Sequence, residues 1–357
     1  MSEGEGMISL RPIGLRTAEA LIDFGGRSEA ARAFAPDQLE GAVALHNLLA
    51  EQGVAYLADE VGMGKTYVAL GVVGLMRHVH PDLRVLYVVP RSNIQAKWRK
   101  EMRNFVANNW RVADLRVKSL QDAPVVDMVV CDSLEELARE AHANAHRDFV
   151  LRMPSFSLQL RDDNESWKKK RQQLRRLLGW LPDGEFDLRN KQAFKESYAR
   201  AINVALPHFD LLVVDEAHNL RHGYAGGSTR NRLLGLVLGR EDETVPVFPG
   251  GGPRVDRVLA LSATPLETDY RELWQQLDLL GKGEVARELS EPEIAPEVQQ
   301  QTTQRFMVRR LTGLKLGEKR YTKNMYRREW RRGGVDLHGE PLKMGDDRER
   351  LVVALVQ

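Results

Sequence analysis

The chain alternates short, nearly apolar runs with longer stretches in which apolar positions recur every three or four residues. Val54-Ala55-Tyr56-Leu57-Ala58, Val85-Leu86-Tyr87-Val88-Val89, Phe209 to Val214 and Val258 to Leu261 read as buried strands. Val125 to Cys131 reads as another, with Asp127 as a polar interruption. Between them lie helical patterns. One begins near Pro36, where a missing N–H costs nothing, carries Leu39, Val43 and Leu48 near one face, and ends at Gly53. A second runs from Thr66 to Val79 and is closed at His80-Pro81, and Ser92-Asn93 offer capping oxygens to a third from Ile94 to about Phe105. Strands apolar on both faces and separated by helices predict an α/β fold with a parallel sheet covered on each side.

From about 135 to 205 the pattern turns polar and helical, with Trp167-Lys168-Lys169-Lys170-Arg171 and Leu174-Arg175-Arg176-Leu177-Leu178 inside it. This stretch reads either as a solvated helical insertion or, with its basic side chains beside Trp167 and Trp180, as a nucleic-acid face. Glu241 to Pro253, rich in Gly and Pro, reads as a loop.

Composition narrows the picture modestly. A chain of 357 residues holds one large or two smaller domains, and 43% hydrophobic content suits a globular protein. The formal net charge of +2 says almost nothing about partners, since it can hide a local basic surface. Cys131 is the only cysteine, which excludes an intrachain disulfide and a thiolate zinc cluster. His142 and His146, four residues apart without further ligands nearby, read as helix-surface residues. The first six residues are acidic and glycine-rich rather than basic then apolar, and no run approaches the ~18 apolar residues of a membrane span. The expected setting is the reducing cytoplasm, with no membrane partner.

Asp59-Glu60-Val61-Gly62-Met63-Gly64-Lys65-Thr66 follows a predicted strand and opens a predicted helix, the context of a P-loop. Gly62 and Gly64 let the backbone turn tightly and bring N–H groups, including that of Met63, onto phosphate oxygens at a helix N-terminus. Lys65 would reach the β- and γ-phosphates and Thr66 would ligate Mg²⁺. Asp59 stands where the general pattern has Gly.

Leu211-Leu212-Val213-Val214-Asp215-Glu216-Ala217-His218 sets two carboxylates directly after an apolar strand. Asp215 suits a Mg²⁺ mount and Glu216 suits activation of the water that attacks the γ-phosphate. The plain alternative is that both acids merely cap the next helix. Leu261-Ser262-Ala263-Thr264-Pro265 ends another strand with two hydroxyls able to relay hydrogen bonds.

In this order the elements resemble superfamily 2 DEAD/DEAH-box helicases and translocases, particularly the Snf2/RapA-like branch. Residues 59 to 66 resemble motif I, in which that branch expects the acidic pair; Asp215-Glu216-Ala217-His218 resembles motif II and Ser262-Ala263-Thr264 motif III. The resemblance implies that Gln38 contacts adenine, and that Lys65 and Glu216 are catalytic. It also implies that Val88-Val89-Pro90-Arg91-Ser92, followed by Trp98 and Glu101, and Cys131 to Leu134 line a nucleic-acid track. Tyr270 to Trp274 and Phe306 to Leu311 resemble the pattern that follows motif III.

The organisation implied is an extension over 1–33, a RecA-like P-loop NTPase lobe over 34–311, and a linker with the start of an incomplete second lobe over 312–357. Arg320 to Arg332, basic with interleaved aromatics, reads equally as a partner surface or a polar linker, and 346–355 as the second lobe's first helix. The cofactors implied are ATP and Mg²⁺, and the partner is DNA, duplex rather than RNA. A second lobe would supply the arginine that stabilises charge on the transferred phosphoryl group, so hydrolysis by this chain alone is expected to be weak. The alternative is a non-enzymatic fragment or a subunit of a split motor completed by another chain.

Overall fold

The structure is a computed structural model that describes residues 9–26, 32, 34–60, 62–112, 118, 127–143, 147–160, 164–180, 190–245, 247–309, 313–316 and 319–322. It resolves into two compact units, residues 1–58 with 63–308, and residues 59–62 with 309–357.

The first unit runs in chain order through α1 (Leu15–Leu21), α2 (Ala35–Gln52), β1 (Val54–Leu57), α3 (Lys65–Val79), β2 (Val85–Val89), α4 (Ser92–Asn108) and β3 (Val129–Cys131). It continues with α5 (Leu134–His142), β4 (Asp148–Arg152), α6 (Asn164–Leu177), α7 (Lys191–Ala205), β5 (Phe209–Asp215) and α8 (Thr229–Val237). It closes with β6 (Val255–Leu261), α9 (Arg271–Leu279), α10 (Pro296–Gln304) and β7 (Met307–Val308). The seven strands form one sheet in the order β3-β4-β2-β5-β6-β1-β7, and every pairing is parallel.

Alternation along each strand divides the core. Val54, Tyr56 and Ala58 enter one apolar cluster with the helices from α5 onward, while Ala55 and Leu57 enter the other with α1 to α4. Successive side chains of a strand point to opposite faces, so a sheet covered twice needs strands that are apolar throughout. The expected parallel α/β architecture is therefore the observed one.

Local signals worked where the backbone was demanding. Pro36 sits in the first turn of α2, and Gly53 ends that helix with φ 67°, a left-handed conformation open to glycine at little cost. The third helix starts earlier than expected: Arg91 takes the cap position without a side-chain cap bond, and Ser92 is already helical. The third strand begins only at Val129, since Asp127 and Met128 are not in strand, and Val125 and Val126 lie outside the described residues.

The 135–205 stretch is not helical throughout. It contributes β4, which enters the sheet between β3 and β2. The strand opens on Asp148 and closes on Arg152, and those charges disguise its apolar centre. Asp148 is buried because Arg77 of α3 pairs with it at 2.8 Å and Tyr87 Oη donates to it at 3.3 Å. His142 directs Nε2 to the carbonyl of Ala205 at 2.7 Å, a tie between helices, while His146 lies outside the described residues. The described residues of 241–253 carry neither helix nor strand, as expected.

In the second unit, β8 (Gly313–Leu316) pairs antiparallel with β9 (Lys319–Thr322). The expectations for 323–357, including the basic run and the helix at 346–355, lie outside the described residues. Among the described residues no helix is long and apolar enough to cross a membrane.

Candidate functional site at the carboxyl ends of the strands

In a parallel sheet all strand tips of one polarity share an edge, and ligands of open α/β sheets bind at the carboxyl end. Here three tips are level. Leu57 of β1 is in register with Leu261 of β6, and Leu261 with Asp215 of β5. The amide of Ser262 donates to the carbonyl of Leu57 at 3.0 Å, tying two of the tips together. With strands spaced about 4.8 Å apart, the loops leaving β1 and β5 stand about 10 Å apart across one intervening strand.

The loop after β1 leads into α3 with φ of 92° at Gly62 and 76° at Gly64, both in the region that disfavours side chains. Gly64 is the N-cap of α3, has no side chain to make a cap bond, and no acidic residue stands in the first turn. A helix start of this kind presents backbone amides and a favourable local field, which suits a phosphate group. Gln38 reaches from α2 and donates through Nε2 to the carbonyl of Met63 at 3.1 Å, inside this loop. Thr66 occupies the first turn of α3 and is half-buried, as are Met63, Gly64 and Lys65, whereas Gly62 is exposed.

Opposite this loop, Asp215 closes β5 and Glu216 follows it with φ 53° and ψ 50°. Such a conformation costs a non-glycine residue about 1–3 kcal/mol, and its accumulation at working sites is a general pattern. Glu216 makes no side-chain cap bond to the short 3-10 turn over Ala217–Leu220. Its Oε2 lies 3.2 Å from Nδ1 of His218, and that same nitrogen is 3.0 Å from Oγ of Ser262. A carboxylate only accepts, so Nδ1 carries the proton. Asp215 Oδ2 accepts from the indole N–H of Trp98 at 3.0 Å. Glu216 is thus held by His218 rather than by a cap bond, while Asp215 accepts from Trp98 and from the backbone amide of Glu216.

The electrostatics separate the two acids. Burial pushes the Asp215 carboxyl above its ordinary value, against the Trp98 hydrogen bond and the Lys65 charge. The His218 hydrogen bond holds Glu216 below its ordinary value, with Lys65 again assisting. Lys65 therefore acts electrostatically on both carboxylates, and His218 joins Glu216 to Ser262 beside them. A buried carboxylate held above its usual range gains from a nearby cation, and its oxygens suit a hard one such as Mg²⁺.

Two partners had no local signal in the sequence. Trp98 meets Asp215 across 117 residues, and Tyr56 donates to Gln276 Oε1 at 2.8 Å across 220. Gln276 in turn donates to the carbonyl of Pro265 at 2.8 Å, fixing the segment after Ser262. Tyr56 alone carried a clue: a phenol buried in an aliphatic strand needs an acceptor.

At the amino-terminal edge of the sheet, His208, Asp210 and Asp256 place ligand atoms within 4.8 Å of one another. His208 Nε2 lies 3.2 Å from Asp256 Oδ1, and the charges of Arg257 and Lys282 also act on Asp256. It reads as an ion-pair network rather than a metal centre. Cys131 is buried and its thiol is pushed up to about 12, which makes it unreactive.

The sheet and its helices define a RecA-like α/β lobe of the P-loop NTPase class. The family model described as type III restriction enzyme, res subunit, matches residues 33–233, more than half of the 357-residue chain, and the chain belongs to this helicase family of superfamily 2. It is similar to the Sulfolobus solfataricus SWI2/SNF2 ATPase core in complex with dsDNA at 13% identity and a TM-score of 0.42, over 85% of this chain and 46% of that one. The same organism's SWI2/SNF2 ATPase core domain shows 13% identity and a TM-score of 0.47 over 99% and 58%. The Pyrococcus furiosus Hef helicase domain shows 13% and 0.36 over 87% and 51%. The chain thus spans about half the length of these solved structures. No curated protein matches it.

Proposed function

We propose that this chain is the ATP-binding lobe of a DNA-dependent ATPase of the helicase-like translocase type. The observation that carries the reading is the level register of the tips of β1, β6 and β5, which sets Asp215 beside the loop that carries Lys65, close enough for the Lys65 charge to lower both Asp215 and Glu216. One ammonium and two acids of different character then face a single triphosphate.

Lys65 and the amides from Gly62 to Thr66 would hold the β- and γ-phosphates, and Gln38 would meet adenine, as the motif resemblance implies. Thr66 and Asp215 would hold Mg²⁺, which when bound neutralises phosphate oxygens. Glu216, ionised at neutral pH, would orient the attacking water and accept its proton as the water oxygen bonds to the γ-phosphorus and the bond to the ADP oxygen breaks. His218 keeps that carboxylate aimed. Full turnover is expected to need an arginine from a second lobe, an effect worth roughly 10³–10⁵ where it is supplied as a finger.

Duplex DNA is the proposed nucleic-acid partner. Arg99, Lys100 and Arg103 line a groove of about 410 Å³ with Ser92 and Asp132, at the segments that the resemblance assigns to the track. Arg99 and Arg103 share the single carboxylate of Asp127, which leaves that groove positively charged. A sensitive phosphate-release assay with and without duplex DNA tests the reading. Wild type is expected to be stimulated by DNA, and Glu216→Gln to lose about 10²-fold or more. Equal turnover by wild type and Lys65→Ala would remove the proposal.

A further inference from the structure

We infer that the outer face of α6 is a second, phosphate-reading contact for duplex DNA, separate from the groove beside α4. The inference rests on the DNA reading above and adds a surface to it.

The helix Asn164–Leu177 carries six basic residues and one acidic one, in a chain whose formal net charge is only +2. Everything outside this helix therefore sums to a net negative charge. The excess is also sorted by face. Trp167 and Leu174 are buried, Trp167 packs against Phe194 in a tilted arrangement with ring centroids 5.4 Å apart, and Leu178 just beyond the helix is buried too. Lys170 turns inward and pairs with Glu135 of α5. At 100° per residue, Lys169 and Arg176 stand on the side opposite the Trp167–Leu174 stripe, and Lys168 and Arg175 share one flank. All four are exposed.

This arrangement separates the two readings of the stretch. Trp167 belongs to the core, so it offers no ring to an unstacked base. What remains outside is charge on long stems, in two rows whose members are seven residues and about 10 Å apart along the helix. Such a face reads a polyanion rather than base edges. Duplex DNA carries about one negative charge per 1.7 Å of axis, which provides a phosphate within reach of each side chain. Among the described residues Lys168 pairs with Glu165 at 3.3 Å, an exposed i,i+3 pair that costs little to exchange.

The test is anisotropy of a fluorescent duplex against the full chain over a range of salt. The variant Lys168→Gln, Lys169→Gln, Arg176→Gln removes three charges while keeping residues of similar helix propensity. A control, Arg11→Gln, Arg16→Gln, Arg287→Gln, removes as many from exposed positions elsewhere. The α6 variant is expected to reduce the slope of log K against log salt by about 2 to 3, from ~0.9 per lost phosphate contact, and the control to leave it unchanged. Nucleotide binding by the α6 variant is expected to match wild type, which reports an intact fold. Wild-type slope and affinity in the α6 variant would overturn this contact while leaving the DNA reading standing. No duplex binding by wild type would overturn both. Tighter binding of an RNA duplex of the same length, lost in the α6 variant, would overturn the assignment to DNA.

Discussion

The indole N–H of Trp98 donates to Asp215 Oδ2 across 3.0 Å, joining a fully buried ring on α4 to the acid that ends β5. Tyr87 packs against that ring with centroids 5.1 Å apart, so the donor is held by the core rather than by the site. Hydrogen bonds to charged groups are worth about 1.5–3 kcal/mol. Trp98→Phe is expected to keep the packing yet raise the Mg²⁺ concentration needed for half-maximal nucleotide binding by about tenfold or more. Titrating Mg²⁺ at fixed ATP checks this, and an unchanged requirement would make the bond purely structural.

Asp215 also bears on stability. A carboxyl whose folded-state pKa lies above its unfolded value binds its proton more tightly when folded. It therefore costs stability at neutral pH, and the cost disappears as pH falls through the folded value. Burial raises Asp215 in this way. Asp215→Asn is expected to melt at a higher temperature than wild type at neutral pH, with the gap closing in acid, while Mg²⁺-dependent nucleotide binding falls. Thermal unfolding as a function of pH decides it.

Gly64 combines two demands. Its φ of 76° penalises any side chain, and an added Cβ would run into the amide of Gln38. The amide end of Gln38 is flexible and can move, whereas the backbone strain stays, at about 1–2 kcal/mol. Gly64→Ala is expected to lose about that much stability, and Gln38→Ala in the same chain to restore little of it. Denaturant unfolding of the single and double variants measures the difference.

The ion pair between Arg77 and Asp148 locks β4 to α3. Removing one partner of a buried pair leaves an uncompensated charge, at about 3–5 kcal/mol. Asp148→Ala is expected to cost that much by chemical denaturation. Arg77→Met with Asp148→Leu is expected to recover most of it.

This pair also explains what the sequence concealed. β1, β2, β5 and the end of β6 announce themselves because double burial demands aliphatic runs. β4 begins on a charge that only a residue 71 positions earlier neutralises, so its polarity looks like surface. Pro36 and Gly53 were legible because their roles are local. For the candidate site, the level tips of β1 and β5 that carry Lys65 and Asp215 were legible from the order of the motifs. Trp98 as the partner of Asp215, and Gln276 as that of Tyr56, were not, since packing of distant segments creates both. The basic stretch around Trp167 could be divided into anchoring and outward residues only once the ring was seen in the core.

In the proposed function Lys65 gathers triphosphate charge while Glu216 serves the water and not the binding. Calorimetric titration of Mg²⁺-ATP into wild type, Lys65→Ala and Glu216→Gln tests it most directly. The expected result is binding by wild type, near-equal affinity for Glu216→Gln, and a loss of tenfold or more for Lys65→Ala, from a charged contact of about 1.5–3 kcal/mol. Undiminished affinity in Lys65→Ala would contradict it.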